Sequence, residues 1–262
     1  MKVAAIQMDA GTTAVAERHA AIHRSLKDAA AAGADLVVLP ELAPTGYGAG
    51  QAIVDTAEAT DTGLAEWHTA ADRLGIAIVM GLAVRTPQGV DNAAALLAPG
   101  SAPVLYAKRM LYGDYEKGLF TPGDAPSPIV EIAGLRCGLL VCFDVEFPEL
   151  CRDLALRGAD VILVPTALPQ SDGARFIAQN VVPVRAFENQ LFVVYADHCG
   201  SDGAFAYQGQ SVIAAPDGLV LASAGEHDAA IILADLDPAA YRASRDQNPY
   251  LAETRSRRLT AT

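Results

Sequence analysis

Two stretches of the chain follow one plan. Gly33-Ala34-Asp35-Leu36-Val37-Val38-Leu39-Pro40 leads to Glu41, and Gly158-Ala159-Asp160-Val161-Ile162-Leu163-Val164-Pro165 leads to Thr166. In each, a glycine stops a helix, an apolar run makes a buried strand, and a proline ends it. A repeated helix–strand–proline unit predicts two similar halves that face each other and end a strand at one rim. Glu41 and Thr166 then flank a single cleft. With 262 residues, 52% of them hydrophobic, the chain can bury a large core as one domain over 1–262. A mean hydropathy of +0.23 suits an α/β fold whose sheets are covered on both faces.

A further strand ends close to these two. Leu139 to Val141 reads as short and buried, and from Phe147 the period changes: Phe147, Leu150, Cys151 and Leu154 share a helical stripe. Pro148 suits the first turn and Gly158 the stop. Cys142 therefore sits where a strand turns into a helix, a place that exposes a nucleophile beside a partly positive helix end.

In chain order, Val3 to Met8 is a strand rather than a signal peptide. A helix from Thr13 to Gly33 has the stripe Val15, Ile22, Leu26 and Ala29, and carries His19 and His23 one turn apart as solvated side chains without a third metal ligand. Pro44, Gly46, Gly48 and Gly50 mark a loop after Glu41 where substrate contacts are expected, Tyr47 among them. A helix runs from Gly63 to Leu74, then strands at Ile76–Val84, Ala93–Ala98 and Val104–Ala107. Lys108 follows the last strand directly. The Gly- and Tyr-rich segment Arg109–Asp124, with Glu116 in its middle, reads as a site-covering loop. Strands at Ser127–Ile132 and Arg136–Val141 precede Cys142; a helix at Ala174–Asn189 and strands at Gln190–Ala196, Gly209–Ala215, Leu219–Ala222 and Ala229–Leu233 follow Thr166. His198-Cys199 is the internal rival for a nucleophile–base pair, but neighbours on a strand point to opposite faces. From about 240 to 262 the chain, with Arg242, Arg245, Arg255, Arg257 and Arg258, is too polar for core, and either frays or docks on a neighbouring subunit.

A net charge of -12 makes nucleic acid and anionic membrane poor partners. No apolar run is long enough to span a bilayer. Four cysteines without a CxxC pair indicate a reduced, cytoplasmic protein with no structural zinc. A glutamate, a lysine and a cysteine that each follow a buried strand form a coherent chemical set. The thiolate is the useful nucleophile, a carboxylate can take its proton, and a lysine can hold the oxyanion. The Phe143 N–H is a second donor candidate for that oxygen.

These motifs together resemble the nitrilase (carbon–nitrogen hydrolase) superfamily along nearly the whole chain. The matching stretches are Leu39-Pro40-Glu41, Tyr106-Ala107-Lys108, Phe120-Thr121-Pro122-Gly123, Cys142 through Glu149, Arg185-Ala186-Phe187-Glu188-Asn189, and Gly209 through Gly218. The resemblance implies a four-layer α-β-β-α sandwich of two similar halves, assembled as a homodimer or higher homo-oligomer. It implies a triad of Glu41, Lys108 and Cys142, with Glu116 as a second glutamate that orients the lysine, and neither metal nor cofactor. Arg185, Glu188 and Asp144 would brace the site from behind.

Nitrilases of the superfamily usually carry Cys-Trp-Glu at the nucleophile. Cys142-Phe143-Asp144 favours linear amides, and Met110 stands where many members have histidine. Lys108–Asp124 and Glu188–Gly200 look most like amidases of ω-amino amides such as 5-aminopentanamide. Asp114, Glu146 and Asp197 are then candidates for a distal cation, with Tyr47 and Thr166 also lining the pocket. An N-carbamoyl amine hydrolase is the alternative reading, and a catalytically idle scaffold on the same fold a third.

Overall fold

The computed structural model describes residues 1–59 and 64–257. Among these residues the strands form two sheets. One runs, in order, Ala206–Gln208, His198–Ser201, Lys2–Asp9, Leu36–Val38, Ala77–Thr86, Gly89–Leu97 and Val104–Ala107, with Ala230–Asp235 also paired to Lys2–Asp9 and Glu58–Ala59 to Ala77–Thr86. The other runs Val220–Ser223, Val212–Ala214, Phe192–Ala196, Val161–Pro165, Leu135–Leu139 and Ile129–Ile132.

Alternation of side chains builds the layers. In the first sheet Val3, Ala5, Leu36 and Val38 belong to the core shared with the second sheet, which also takes in Leu139, Leu163 and Val194. Their neighbours Ala4, Ile6, Val37 and Leu39 face the other way, against Ile22, Leu26 and Trp67 of the helices Val15–Ala31 and Ala65–Leu74. The helices Pro148–Leu156 and Val182–Asn189 cover the second sheet with Cys151, Leu154, Val182 and Ala186. The result is the expected α-β-β-α sandwich, and no helix among the described residues is long and apolar enough to cross a membrane.

Strand direction places the functional rim. Lys2–Asp9, Leu36–Val38 and Ala77–Thr86 are mutually parallel, as are Leu135–Leu139, Val161–Pro165 and Phe192–Ala196. Gly89–Leu97 is antiparallel to both of its neighbours, so Val104–Ala107 again runs with Ala77–Thr86. Glu41 and Lys108 therefore leave the first sheet at the same end. The two proline turns meet there: the Glu41 N–H donates to the Thr166 carbonyl at 3.2 Å.

Several local expectations are corrected. Val15 is exposed, and the buried place on its helix goes to Arg18, which donates to the carbonyls of Ala43 and Thr12. Segment 109–124 contains a helix, Gly113–Leu119. The strand expected from Ala93 starts at Gly89 and includes Asn92. The helix from Ala174 to Asn189 passes through a wide turn at Ile177–Val181 ahead of Pro183, whose missing N–H interrupts the regular ladder. His19 and His23 are not merely solvated: both bond to the Glu66 carboxylate and pack on Trp67. The polar tail does not fray over its described part. Helices Arg242–Gln247 and Tyr250–Arg257 lie on the chain's own helical layer, through Tyr250 on Phe187 and Arg255 on the Leu156 carbonyl. Gly63 and Arg258 lie outside the described residues.

Gly81 shows how tightly the rim is built. A Cβ there would stand 2.3 Å from Glu41 Cα and 2.8 Å from the Leu42 nitrogen, so the backbone bearing Glu41 would have to move. Gly81→Ala is expected to lower stability by about 1–3 kcal/mol and to displace Glu41. Gly118→Ala, which meets nothing within 4 Å, is the control and should leave the melting temperature level or raised. A Gly81→Ala protein that melts with the parent would contradict this packing.

Candidate active site

Lys108 lies at the centre of the site, fully buried. Its Nζ donates to Glu41 Oε1 at 2.7 Å and to Glu116 Oε1 at 2.6 Å, and both carboxylates are themselves fully buried. Glu116 is fixed in turn by the Tyr47 hydroxyl at 2.9 Å and the Tyr112 N–H at 2.8 Å. Tyr47, Tyr115 and Phe205 pack on one another, joining the loop after Glu41 to helix Gly113–Leu119. An ammonium removed from water this completely is tolerable only with such partners.

Cys142 opens a tight 3₁₀ turn, Cys142–Glu146, ahead of the helix at Pro148. It thus stands at a separate turn rather than at the end of the long helix, as a direct strand-to-helix junction would have put it. Its φ is +45°, a left-handed conformation that costs a non-glycine residue on the order of 1–2 kcal/mol. Asp144 holds that shape by accepting from the Val141 N–H, the Tyr106 hydroxyl and the Met110 N–H. Arg185 braces the turn from behind, donating to the carbonyls of Val145 and Glu146 and pairing with Glu188. Among the described residues the Phe143 N–H has no backbone partner outside its own turn.

Burial dominates the electrostatics. It pushes Glu41 up to about 7, against the opposing pull of Lys108 and the hydrogen bonds from Lys108 and Asn92. Burial alone would lower Lys108, but Glu41, Cys142 and Glu116 outweigh it and keep the amine protonated. The Cys142 thiol is raised, first by burial and then by Glu41; Lys108 and the Ala167 N–H partly offset this. One ammonium thus faces three buried acids, and burial disfavours the thiolate form of Cys142. Glu41, raised to about 7, can change its charge near neutral pH.

The remaining expected residues separate clearly. Tyr47 is buried against Glu116 and supports that carboxylate, rather than standing open in a pocket. Thr166 is buried beside the Glu41 backbone, its hydroxyl turned to the Val164 carbonyl. Glu146 is half-buried, raised by burial, and feels the charges of Lys108 and Arg185. Asp114 is exposed on helix Gly113–Leu119. Asp197 is not part of an acidic rim: it is fully buried, accepts from the N–H groups of Leu168 and His198, and burial raises its carboxyl strongly.

Cys199 is sealed from solvent and pushed up to about 12 by burial. His198 donates to the Glu41 carbonyl at 2.8 Å, and burial, then Arg18, lowers it to about 3. Neutral His198 thus supports the Glu41 turn and does not serve Cys199 as a base. Sequence reasoning missed that support, and it missed Asn92, whose side chain touches Glu41. The available signal was a lone amide ahead of the apolar run Ala93–Leu97.

The chain belongs to the carbon–nitrogen hydrolase family, whose model matches residues 2–246. It is 43% identical over 231 residues to a hydrolase encoded in the pqqF 5′ region of Pseudomonas protegens, covering 86% of this chain and 79% of that one. It is 31% identical to an (R)-stereoselective amidase of a Pseudomonas species, covering 84% and 80%. Among solved structures, a cysteine-to-alanine mutant of the amidase from Nesterenkonia sp. AN1 in complex with butyramide superposes with a TM-score of 0.83. The two are 32% identical, over 97% of this chain and 96% of that one.

The buried ion pairs make a stability prediction independent of activity. Lys108→Met leaves two buried carboxylates without their cation and should cost about 3–5 kcal/mol. Adding Glu41→Gln and Glu116→Gln should return part of that loss in urea unfolding. A Lys108→Met protein as stable as the parent would mean that the carboxylates do not depend on the lysine.

Proposed function

We propose that the protein is an amidase that hydrolyses a small aliphatic amide to a carboxylic acid and ammonia through a thioester on Cys142. The observation that carries this reading is the convergence of Glu41, Lys108 and Cys142 at one buried rim, with Glu116 holding the lysine. Cys142 attacks the planar amide carbon while Glu41 takes the thiol proton. Lys108 Nζ and the Phe143 N–H stabilise the developing oxyanion, in surroundings where such donors act without competition from water. The C–N bond breaks as Glu41 passes the proton to the leaving nitrogen. Water activated by Glu41 then hydrolyses the thioester and frees the acid.

The substrate end of the reading rests on access and charge. Cys142 is only 6% exposed, which suits a short primary amide better than a folded peptide segment. Of the three expected carboxylates, Glu146 is the half-buried one, raised by burial against the charges of Lys108 and Arg185, and it is the candidate for an ω-amino or ω-guanidino group at the far end of the substrate. Dimerisation or further assembly belongs to the same proposal.

Ammonia release from 5-aminopentanamide, 4-guanidinobutyramide, butyramide, a nitrile and an N-carbamoyl amine tests it, beside Cys142→Ala. Release from the amides should vanish in Cys142→Ala, and the cationic amides should be the faster. Carbon dioxide released with ammonia from the carbamoyl compound, in preference to any amide, would replace the amidase by a carbamoyl hydrolase. Silence on every compound would contradict the proposal.

The pH profile gives a second check. The base must be ionised, so kcat/KM should fall as the pH drops through about 7, where Glu41 takes up its proton. A profile flat from pH 5 to 8 would remove Glu41 from the base role.

A further inference from the structure

The two oxygens of Glu41 are not equivalent. Oε1 accepts from Lys108 Nζ at 2.7 Å and from Asn92 Nδ2 at 2.7 Å. Oε2 is buried and has no hydrogen-bond partner among the described residues. Asn92 is fully buried, and its carbonyl accepts the Lys108 N–H at 2.8 Å. One strand residue thus holds the backbone of the lysine and the side chain of the glutamate.

We infer that Asn92 is a positioning residue that assigns Glu41 Oε2, rather than Oε1, as the atom that exchanges the proton with Cys142. Lysine alone cannot make that choice. Its ammonium is a compact charge with rotatable donors, and Lys108 is shared with Glu116, so either oxygen of Glu41 would satisfy it. The Asn92 amide is planar, held on a strand between two others, and presents one N–H in one direction. A carboxylate accepts only, so the group facing it must be the NH₂ end of the asparagine. Two donors on Oε1 leave it the less basic oxygen, and leave the lone pairs of Oε2 for the thiol proton. The proton moves from Sγ to Oε2 in the attack and from Oε2 to the departing nitrogen afterwards, so the carboxylate ends as it began. Asn92 fixes direction without bringing a fourth ionisable group into the cluster.

The kinetic part of this inference rests on the amidase reading, and the thiol itself supplies a readout that does not. Asn92→Ala and Asn92→Leu both remove the donor, the second while keeping the branched heavy-atom skeleton of the side chain. The rates to follow are amide turnover and alkylation of Cys142 by iodoacetamide, each across pH 5 to 9. With Glu41 free to turn, kcat should fall on the order of 10²-fold while KM stays near the parental value. The acid limb should move to higher pH in both assays, because the ionised carboxylate has lost a donor.

A folded variant with near-parental kcat and an unmoved alkylation profile would overturn the inference and leave Asn92 as a strand tie. A parent that turns over no amide, but whose alkylation profile shifts on removal of Asn92, would sink the amidase reading and keep this one. Should neither variant fold, the parent still decides. The Asn92 side-chain ¹⁵N resonance must move as Glu41 titrates near pH 7, and a resonance that ignores the titration contradicts the assignment.

Discussion

The structure depends on one ammonium taken out of water. Lys108 is held between Glu41 and Glu116 at 2.7 Å and 2.6 Å, with none of the three side chains exposed. Burying such a group is unfavourable unless its donors are met, and a partner missing from such a set is more costly than the set itself. This explains why so much of the rim serves to place two carboxylates. Tyr47 and the Tyr112 N–H fix Glu116, while Asn92 and the Glu41–Thr166 backbone contact fix Glu41. It also explains why the cation does not lower the thiol: its charge is already divided between the carboxylates, and burial raises Cys142 more than Lys108 lowers it.

Strain at Cys142 complements that arrangement. Cys142 keeps a positive φ because Asp144 ties the turn to Tyr106 and Met110, and Arg185 ties it to the helix behind. Asp144 therefore links the turn bearing the cysteine to the segment that begins at Lys108. A shift in either would be felt by the other, so Cys142 and Lys108 are positioned as a unit. Placing them at the ends of strands from two packed sheets gives each a rigid support that loops alone would not provide.

Much of this was legible in the sequence, for physical reasons. The repeated glycine–strand–proline unit marked Glu41 and Thr166 as ends of corresponding strands, and they meet across the two sheets. Lys108 directly after an apolar strand and Cys142 after another lie at the same rim because their strands run the same way. Asn92 was not legible, because Asp91-Asn92 looks like a loop until the antiparallel register places it opposite Lys108. Helix Gly113–Leu119 was hidden by its first residue, Gly113, and internal Gly118, which read as loop chemistry. Asp197 was a candidate for a distal cation; only the fold shows it satisfied by two backbone N–H groups inside the core. The left-handed turn at Cys142 follows from hydrogen bonds to Asp144, and no local pattern announces it.

In the proposed reaction, carbon–nitrogen bond cleavage runs through a covalent bond to Cys142. Its most direct test is mass spectrometry of the protein quenched in acid during turnover of butyramide, followed by digestion and peptide mapping. The account predicts a butyryl adduct on the peptide containing Cys142, discharged when the quench is delayed beyond substrate exhaustion. Turnover with no adduct on that peptide at any quench time, or with the acyl group on Cys199, would contradict it.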